Sequence, residues 1–96
     1  MISLSELRQV IAQAPERIGA FGVKNLWVFG SLARAEETVN DIDFLVEFES
    51  SPSLEQFMGL KFLLEDLVQA PVDLHSLGSC PERFMNRIKP DLKHVA

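Results

Sequence analysis

Cysteine is all but missing: Cys80 is the only one in 96 residues. That excludes an intramolecular disulfide, leaves a cysteine-based zinc site short of ligands, and favours a reducing, cytoplasmic setting. Positive charge is also scarce, with 9 Lys and Arg against 14 Asp and Glu and a formal net charge of −5. The sequence pI is about 4.9. This is the wrong sign for a surface that neutralises the phosphates of a long DNA or RNA template. An acidic chain can still meet a nucleotide when cations bridge the two, so its acidic clusters are read with metals in mind. No apolar run is long enough for a membrane span, and Met1-Ile2-Ser3-Leu4-Ser5-Glu6 lacks a basic region followed by an apolar stretch. Neither membrane insertion nor secretion is expected.

What is present matches an ordinary soluble globular chain, at 47% hydrophobic and 24% charged residues. The length suits a single domain over residues 1–96, with little room for a separate substrate-binding unit. Ser3 and Glu6 have the form of a capping box, and Leu4, Leu7, Val10 and Ile11 recur behind them at helical spacing. Pro15 suits the first turn of a second helical piece, or a kink, running to Phe21 with Gly22 as its stop. Leu26-Trp27-Val28-Phe29 reads as a buried strand ending at Gly30, where the chain turns abruptly toward an expected helix start at Ser31-Leu32-Ala33-Arg34.

Residues 41–48 alternate. Ile42, Phe44, Val46 and Phe48 fall on one face of a strand, and Asp41, Asp43, Leu45 and Glu47 on the other. After Ser50-Ser51-Pro52, Ser53 and Gln56 form a second capping box before Phe57, Leu60, Leu63, Leu64 and Leu67 at helical spacing. Pro71 ends that helix, residues 72–75 make a short strand, and a last helix begins near Pro81 or Glu82 and is interrupted by Pro90. The fold class is α/β (α+β): a small mixed sheet covered by helices, with no internal repeat.

Asp is depleted inside strands, so Asp41 and Asp43 at the head of an apolar strand call for an explanation. Their i, i+2 spacing sends both carboxylates from one face, where they raise each other's pKa unless a cation lies between them. Two plainer accounts stand beside this: Asn40-Asp41 as a turn, and Asp43 as a solvated residue on an open sheet face. Upstream, Gly30-Ser31 occupies a strand-to-helix junction, where unsatisfied backbone N–H groups attract phosphate. Gly and Ser also crowd into ordinary turns.

Phe29-Gly30-Ser31, separated by residues 32–40 from Asp41-Ile42-Asp43-Phe44, resembles the signature of the nucleotidyltransferase superfamily with the DNA polymerase beta-like fold. The longer stretches Phe29-Gly30-Ser31-Leu32-Ala33-Arg34 and Asn40-Asp41-Ile42-Asp43-Phe44-Leu45-Val46 look like the minimal nucleotidyltransferases, MNT proteins that partner HEPN-domain proteins in prokaryotic toxin–antitoxin pairs. The resemblance runs from about Leu4 to Leu77 and is weak beyond. It implies that Gly30 and Ser31 contact a triphosphate, that Asp41 and Asp43 bind two divalent metals, and that Asp73 is the third acid. A strand, crossover helix and parallel strand would set Asp73 beside the Asp41–Asp43 strand, although a lone Asp between apolar residues is also an ordinary exposed strand residue. Two Mg2+ ions about 4 Å apart could then serve an in-line displacement at the α-phosphate of ATP, with Asp73 helping to remove the acceptor's proton.

Two departures stand out: Ala35 replaces a common Gly, and Asn40 a frequent Ser. Arg34 fits the pattern and could reach a phosphate, or pair with Glu37 along a helix. His75 shares a strand face with Asp73 as a supplementary polar group or an ordinary surface or core histidine. His94 near an irregular terminus says little, and Trp27 suits core packing. Arg83, Arg87, Lys89 and Lys93 make a locally basic segment, read as a solvated helix face or a partner-binding edge.

The resemblance therefore implies a Mg-dependent transfer of a nucleotidyl group, AMP from ATP, onto a hydroxyl of a partner HEPN toxin. Asp41, Asp43 and Asp73 would be catalytic and metal-binding, and Gly30, Ser31 and Arg34 nucleotide-binding. No nucleic-acid template or membrane is expected, and oligomers are allowed. The alternatives are an antitoxin that neutralises by contact alone, and a nucleotidyltransferase acting on a small molecule.

Overall fold

Both capping boxes form, and they fix where the two main helices begin. In the computed structural model, which describes residues 2–35 and 41–96, Ser3 Oγ accepts from the Glu6 amide at 3.1 Å while the Ser3 amide donates to Glu6 Oε1 at 3.2 Å. These bonds satisfy amides that the first turn of α1 (Leu4–Ala12) leaves without partners. Ser53 and Gln56 do the same for α3 (Leu54–Val68). Ala14 leaves helical geometry and Pro15 occupies the first turn of a separate α2 (Pro15–Gly19), so the N-terminal region is two helices rather than one kinked one.

Four strands form one mixed sheet in the order β3-β2-β1-β4. Strand β1 (Val23–Phe29) pairs antiparallel with β2 (Ile42–Phe48), and β2 pairs parallel with β3 (Val72–Ser76) across the α3 crossover. Helix α4 (Glu82–Ile88) follows a 3₁₀ turn at Leu77–Ser79 and gives way to another at Lys89–Asp91, where Pro90 ends the regular helix. The chain then makes β4 (Lys93–His94), a two-residue strand antiparallel to β1.

The alternation in β2 sorts the interior into two clusters. Leu26 and Val28 of β1, Ile42, Phe44 and Val46 of β2, and Val72 and Leu74 of β3 face α1 and α3, meeting Leu7, Ile11, Leu60 and Leu64 in the larger cluster. On the opposite face Phe29 and Leu45 pack with Ile88 of α4, joined by Trp27, Leu77, Phe84 and Met85. Burial at about 25 cal/mol per Å2 of apolar surface drives both clusters.

Three expectations change. Residues 30–35 form hydrogen-bonded turns rather than a helix start, with Gly30 and Ala35 both at positive φ, a backbone hand that an α-helix cannot include. The C-terminal basic residues do not share one helix face: Arg83 and Arg87 lie on α4, Lys89 in a 3₁₀ turn and Lys93 in β4. His94 is a strand residue whose Nε2 lies 3.0 Å from Asn25 Oδ1. The Arg34–Glu37 pairing falls outside the described residues, as does Asn40.

Candidate active site

Strand β1 runs directly into the turn that carries Gly30 and Ser31. Gly30 has φ +76°, a left-handed conformation that side chains disfavour. A Cβ there would also run into the Asp43 carboxylate of the neighbouring strand. Gly30 is therefore required twice, and the same contact places the Gly-Ser turn against an acid. The turn closes through the Arg34 amide donating to the Gly30 carbonyl and the Ala35 amide to the Leu32 carbonyl, both at 3.1 Å.

Register then carries the line across the sheet. Phe29 pairs with Asp43, and Asp43 pairs in parallel with Asp73. Because side chains alternate along a strand, His75 emerges on the same face as Asp73. One ligand atom from each of Asp43, Asp73 and His75 lies within 4.8 Å of the others. Asp41 occupies an exposed bend just before β2 and is not one of that trio. Its charge nonetheless acts on Asp43, whose carboxyl is held above its ordinary value of 3.8. Burial is the main cause; repulsion from Asp73 and then Asp41 adds to it, while His75 and Arg34 pull the other way.

This donor set fits a divalent cation. Two carboxylates and an imidazole converge from neighbouring strands, and a cation among them would offset the Asp73 repulsion that adds to burial in raising the Asp43 pKa. Donors on one ion stand at most about 4 Å apart, twice a bond of about 2 Å, so small rotamer changes suffice to close the set.

Around the trio, the His75 ring packs against Phe29 and Phe84, with centroids at 5.5 and 5.1 Å, and those two rings also meet each other at 5.9 Å. Arg34 Nη1 pairs with Asp91 Oδ2 at 2.9 Å, tying the Gly-Ser turn to the C-terminal segment. An open cleft of about 540 Å3 runs along the β3 edge, with Leu54, Phe57, His75, Ser79 and Cys80 among its walls. Burial raises the Cys80 thiol pKa, which makes it a weak nucleophile. The sequence left His75 open between a supplementary polar group and an ordinary histidine, and the structure brings it into one cluster with Asp43 and Asp73. The signal that finds it is its i+2 spacing from Asp73 combined with parallel β2–β3 pairing.

Two carboxylates and an imidazole that could hold a cation lie beside a glycine turn at the head of a mixed sheet. The sequence model described as Polymerase beta, Nucleotidyltransferase matches residues 16–95, and the chain belongs to that family. It is an enzyme of the nucleotidyltransferase class with the polymerase beta-like fold. Over 97 residues it is 41% identical to protein adenylyltransferase MntA of Thermococcus cleftensis, covering 99% of this chain and 98% of that relative. A solved structure described as a minimal nucleotidyltransferase superposes with a TM-score of 0.80 at 29% identity, covering 96% of this chain and 95% of the other. An MNT antitoxin solved in complex with a tri-AMPylated HEPN toxin of Shewanella oneidensis shares the fold, with a TM-score of 0.67 at 17% identity over 93% of this chain and 71% of that one.

Proposed function

We propose that this chain is a cytoplasmic antitoxin that transfers AMP from ATP to a hydroxyl group of a HEPN-domain partner and thereby silences it, without a nucleic-acid template. The observation that carries this reading is the placement of the Gly30 turn at the end of β1 against Asp43 of β2, which pairs in turn with Asp73 of β3. Near full-length similarity to a protein named as an adenylyltransferase supports the reaction class. The Shewanella oneidensis complex, described as an AMPylated HEPN toxin with its MNT antitoxin, supports the kind of acceptor. A related toxin–antitoxin structure described with AMP-PNP supports an adenine nucleotide as donor.

In this reaction the acceptor oxygen forms a bond to the α-phosphorus, the bond to the bridging oxygen breaks, pyrophosphate leaves, and the hydroxyl proton is lost. Bound Mg2+, two ions in this reading, would supply charge neutralisation of the triphosphate and the leaving group. Asp41, Asp43 and Asp73 would hold those ions. Asp73, from the neighbouring strand, would also accept the hydroxyl proton. Gly30 and Ser31 would offer backbone and hydroxyl donors to phosphate oxygens, and glycine is needed at position 30 because a Cβ there would meet the Asp43 carboxylate. Arg34 adds positive charge on the same turn, where exchange from Asp91 to a phosphate would position the donor.

The test is the mass of a co-purified HEPN partner after incubation with ATP and Mg2+. The reading expects adenylyl adducts on the partner, none with Asp43→Ala, and toxin release by the variant. This chain contains no tyrosine, so any tyrosine–AMP belongs to the partner. Neutralisation that survives Asp43→Ala would favour an antitoxin acting by contact, and adenylylated product without a partner a small-molecule acceptor. Absence of any adduct sinks the enzymatic reading of the partner's silencing.

A further inference from the structure

We infer that His75 is itself a metal ligand and shifts the preference of this centre from Mg2+ toward first-row transition ions, for which Mn2+ serves as the paramagnetic probe. This deepens the proposed nucleotidyl-transfer reading, on whose metal site it rests. A centre made of carboxylates alone is an all-oxygen site of the kind that suits Mg2+. The trio in this chain is different, because one of its three converging donors is an imidazole nitrogen. Imidazole suits transition ions, and site affinity rises along the first-row series from Mn2+ upward, whereas Mg2+ gains little from nitrogen.

The local structure treats this ring as a fixed donor rather than a mobile surface group. Parallel pairing aligns Asp43 with Asp73 and Leu45 with His75, so the ring rises one position along the same face from the acid pair. Leu45, its partner on β2 and on the same face, is wholly buried. Phe29 and Phe84 pack against the ring and against each other, a three-ring cluster that limits its rotation. Among the described residues, no hydrogen bond or ion pair engages the ring nitrogens, although both carboxylates lie within the 4.8 Å grouping. A histidine held by two aromatic neighbours beside two acids, with its nitrogens uncommitted, is arranged to meet a cation. A ring placed for core packing alone would not need to lie beside both carboxylates.

The experiment uses untagged protein and two variants, His75→Phe, which keeps a ring against Phe29 and Phe84 but lacks nitrogen, and His75→Gln. Mn2+ and Mg2+ binding are titrated, and the Mn2+-loaded protein is examined by pulsed electron paramagnetic resonance for nitrogen-14 modulation. The expected result is imidazole nitrogen modulation in the native protein, lost in His75→Phe. Mn2+ affinity should fall at least about tenfold in both variants, with Mg2+ affinity held within about twofold. A Mn2+-loaded native protein without nitrogen modulation overturns the inference whether or not either variant folds, as does unchanged Mn2+ affinity in folded His75→Phe. Adenylyl transfer by native protein, measured alongside, separates the two readings. Transfer without nitrogen coupling removes His75 from the ligand set and leaves the function standing, whereas nitrogen coupling without transfer to any acceptor does the reverse.

Discussion

The two faces of the sheet are made by the same strands and have opposite characters. Ile42, Phe44 and Val46 of β2 are all fully excluded from solvent beneath α1 and α3. On the other face only Leu45 is equally buried, under Phe29 and Ile88, while Asp43 remains half-buried and Asp73 exposed. The covered face determines the register, because a slip of one residue would carry Phe44 into water and Asp43 into the core. The open face then receives its acids at positions that the core has already set. Rigid strands hold a charged site more closely than loops do, and here the apolar layer supplies that rigidity.

Adjacent residues 43 and 44 offer the sharpest way to break this contrast. Phe44→Ala should cost about 3–5 kcal/mol of folding stability, at the upper end because the side chain is fully buried in the larger cluster. Its measure is the urea unfolding midpoint. Asp43→Asn should instead spare the fold and lower adenylyl transfer about a thousandfold, which corresponds to about 4 kcal/mol at the transition state. If Asp43→Asn unfolds the protein, or Phe44→Ala leaves stability untouched, the division of labour between the faces is wrong.

A pH series sharpens the comparison further. The folded-state pKa of Asp43 lies above 3.8, chiefly through burial and then the Asp73 charge. Between the unfolded value and the raised folded one, the native state holds a proton that the unfolded chain has released, so this group's contribution is present at low pH and lost as pH rises through the folded pKa. The metal-free protein should therefore lose stability over that window relative to Asp43→Asn. Other acids titrate in both proteins, so the difference between their urea midpoints isolates residue 43. Added divalent cation should erase much of that difference by binding the native state. A difference that grows in the opposite sense with rising pH would show that Asp43 is stabilised as the anion.

Much of the covered face was legible in the sequence. The Ser3–Glu6 and Ser53–Gln56 boxes, the alternation from Ile42 to Phe48, and the apolar spacing of α3 are local patterns that local chemistry writes directly. So is the strand at Val72, although its pairing with β2 comes from the crossover. The open face was legible only in part. Asp43 and Asp73 could be named, but His75 joins them through register and through Phe84 on a later helix. The Arg34–Asp91 pair spans 57 positions and leaves no local trace. Strand β4 is too short for periodicity to mark, and its place is set by pairing with Trp27 and Val28. The basic residues looked like one helical face because their spacing is helical, but Pro90 and the strand that follows divide them.

The smallest expected effect lies at the far end of the Gly-Ser turn, where sequence and backbone disagree. Gly30 and Ala35 bracket the turn, and both have positive φ, +76° and 56°. At Gly30 the residue type answers the conformation; at Ala35 it does not, and a left-handed alanine costs roughly 1–2 kcal/mol. Ala35→Gly should remove that strain. It also frees the unfolded chain, which returns about 0.4–1 kcal/mol of destabilisation. The net expectation is a gain of about 0.5–1 kcal/mol, or a few degrees in Tm for a chain of this size. The substitution leaves Asp43 and Asp73 alone, so transfer per folded molecule should change less than with any change at the acids. A loss of stability in Ala35→Gly would mean that the unfolded-state term outweighs the strain, and that the turn tolerates its left-handed alanine at little cost.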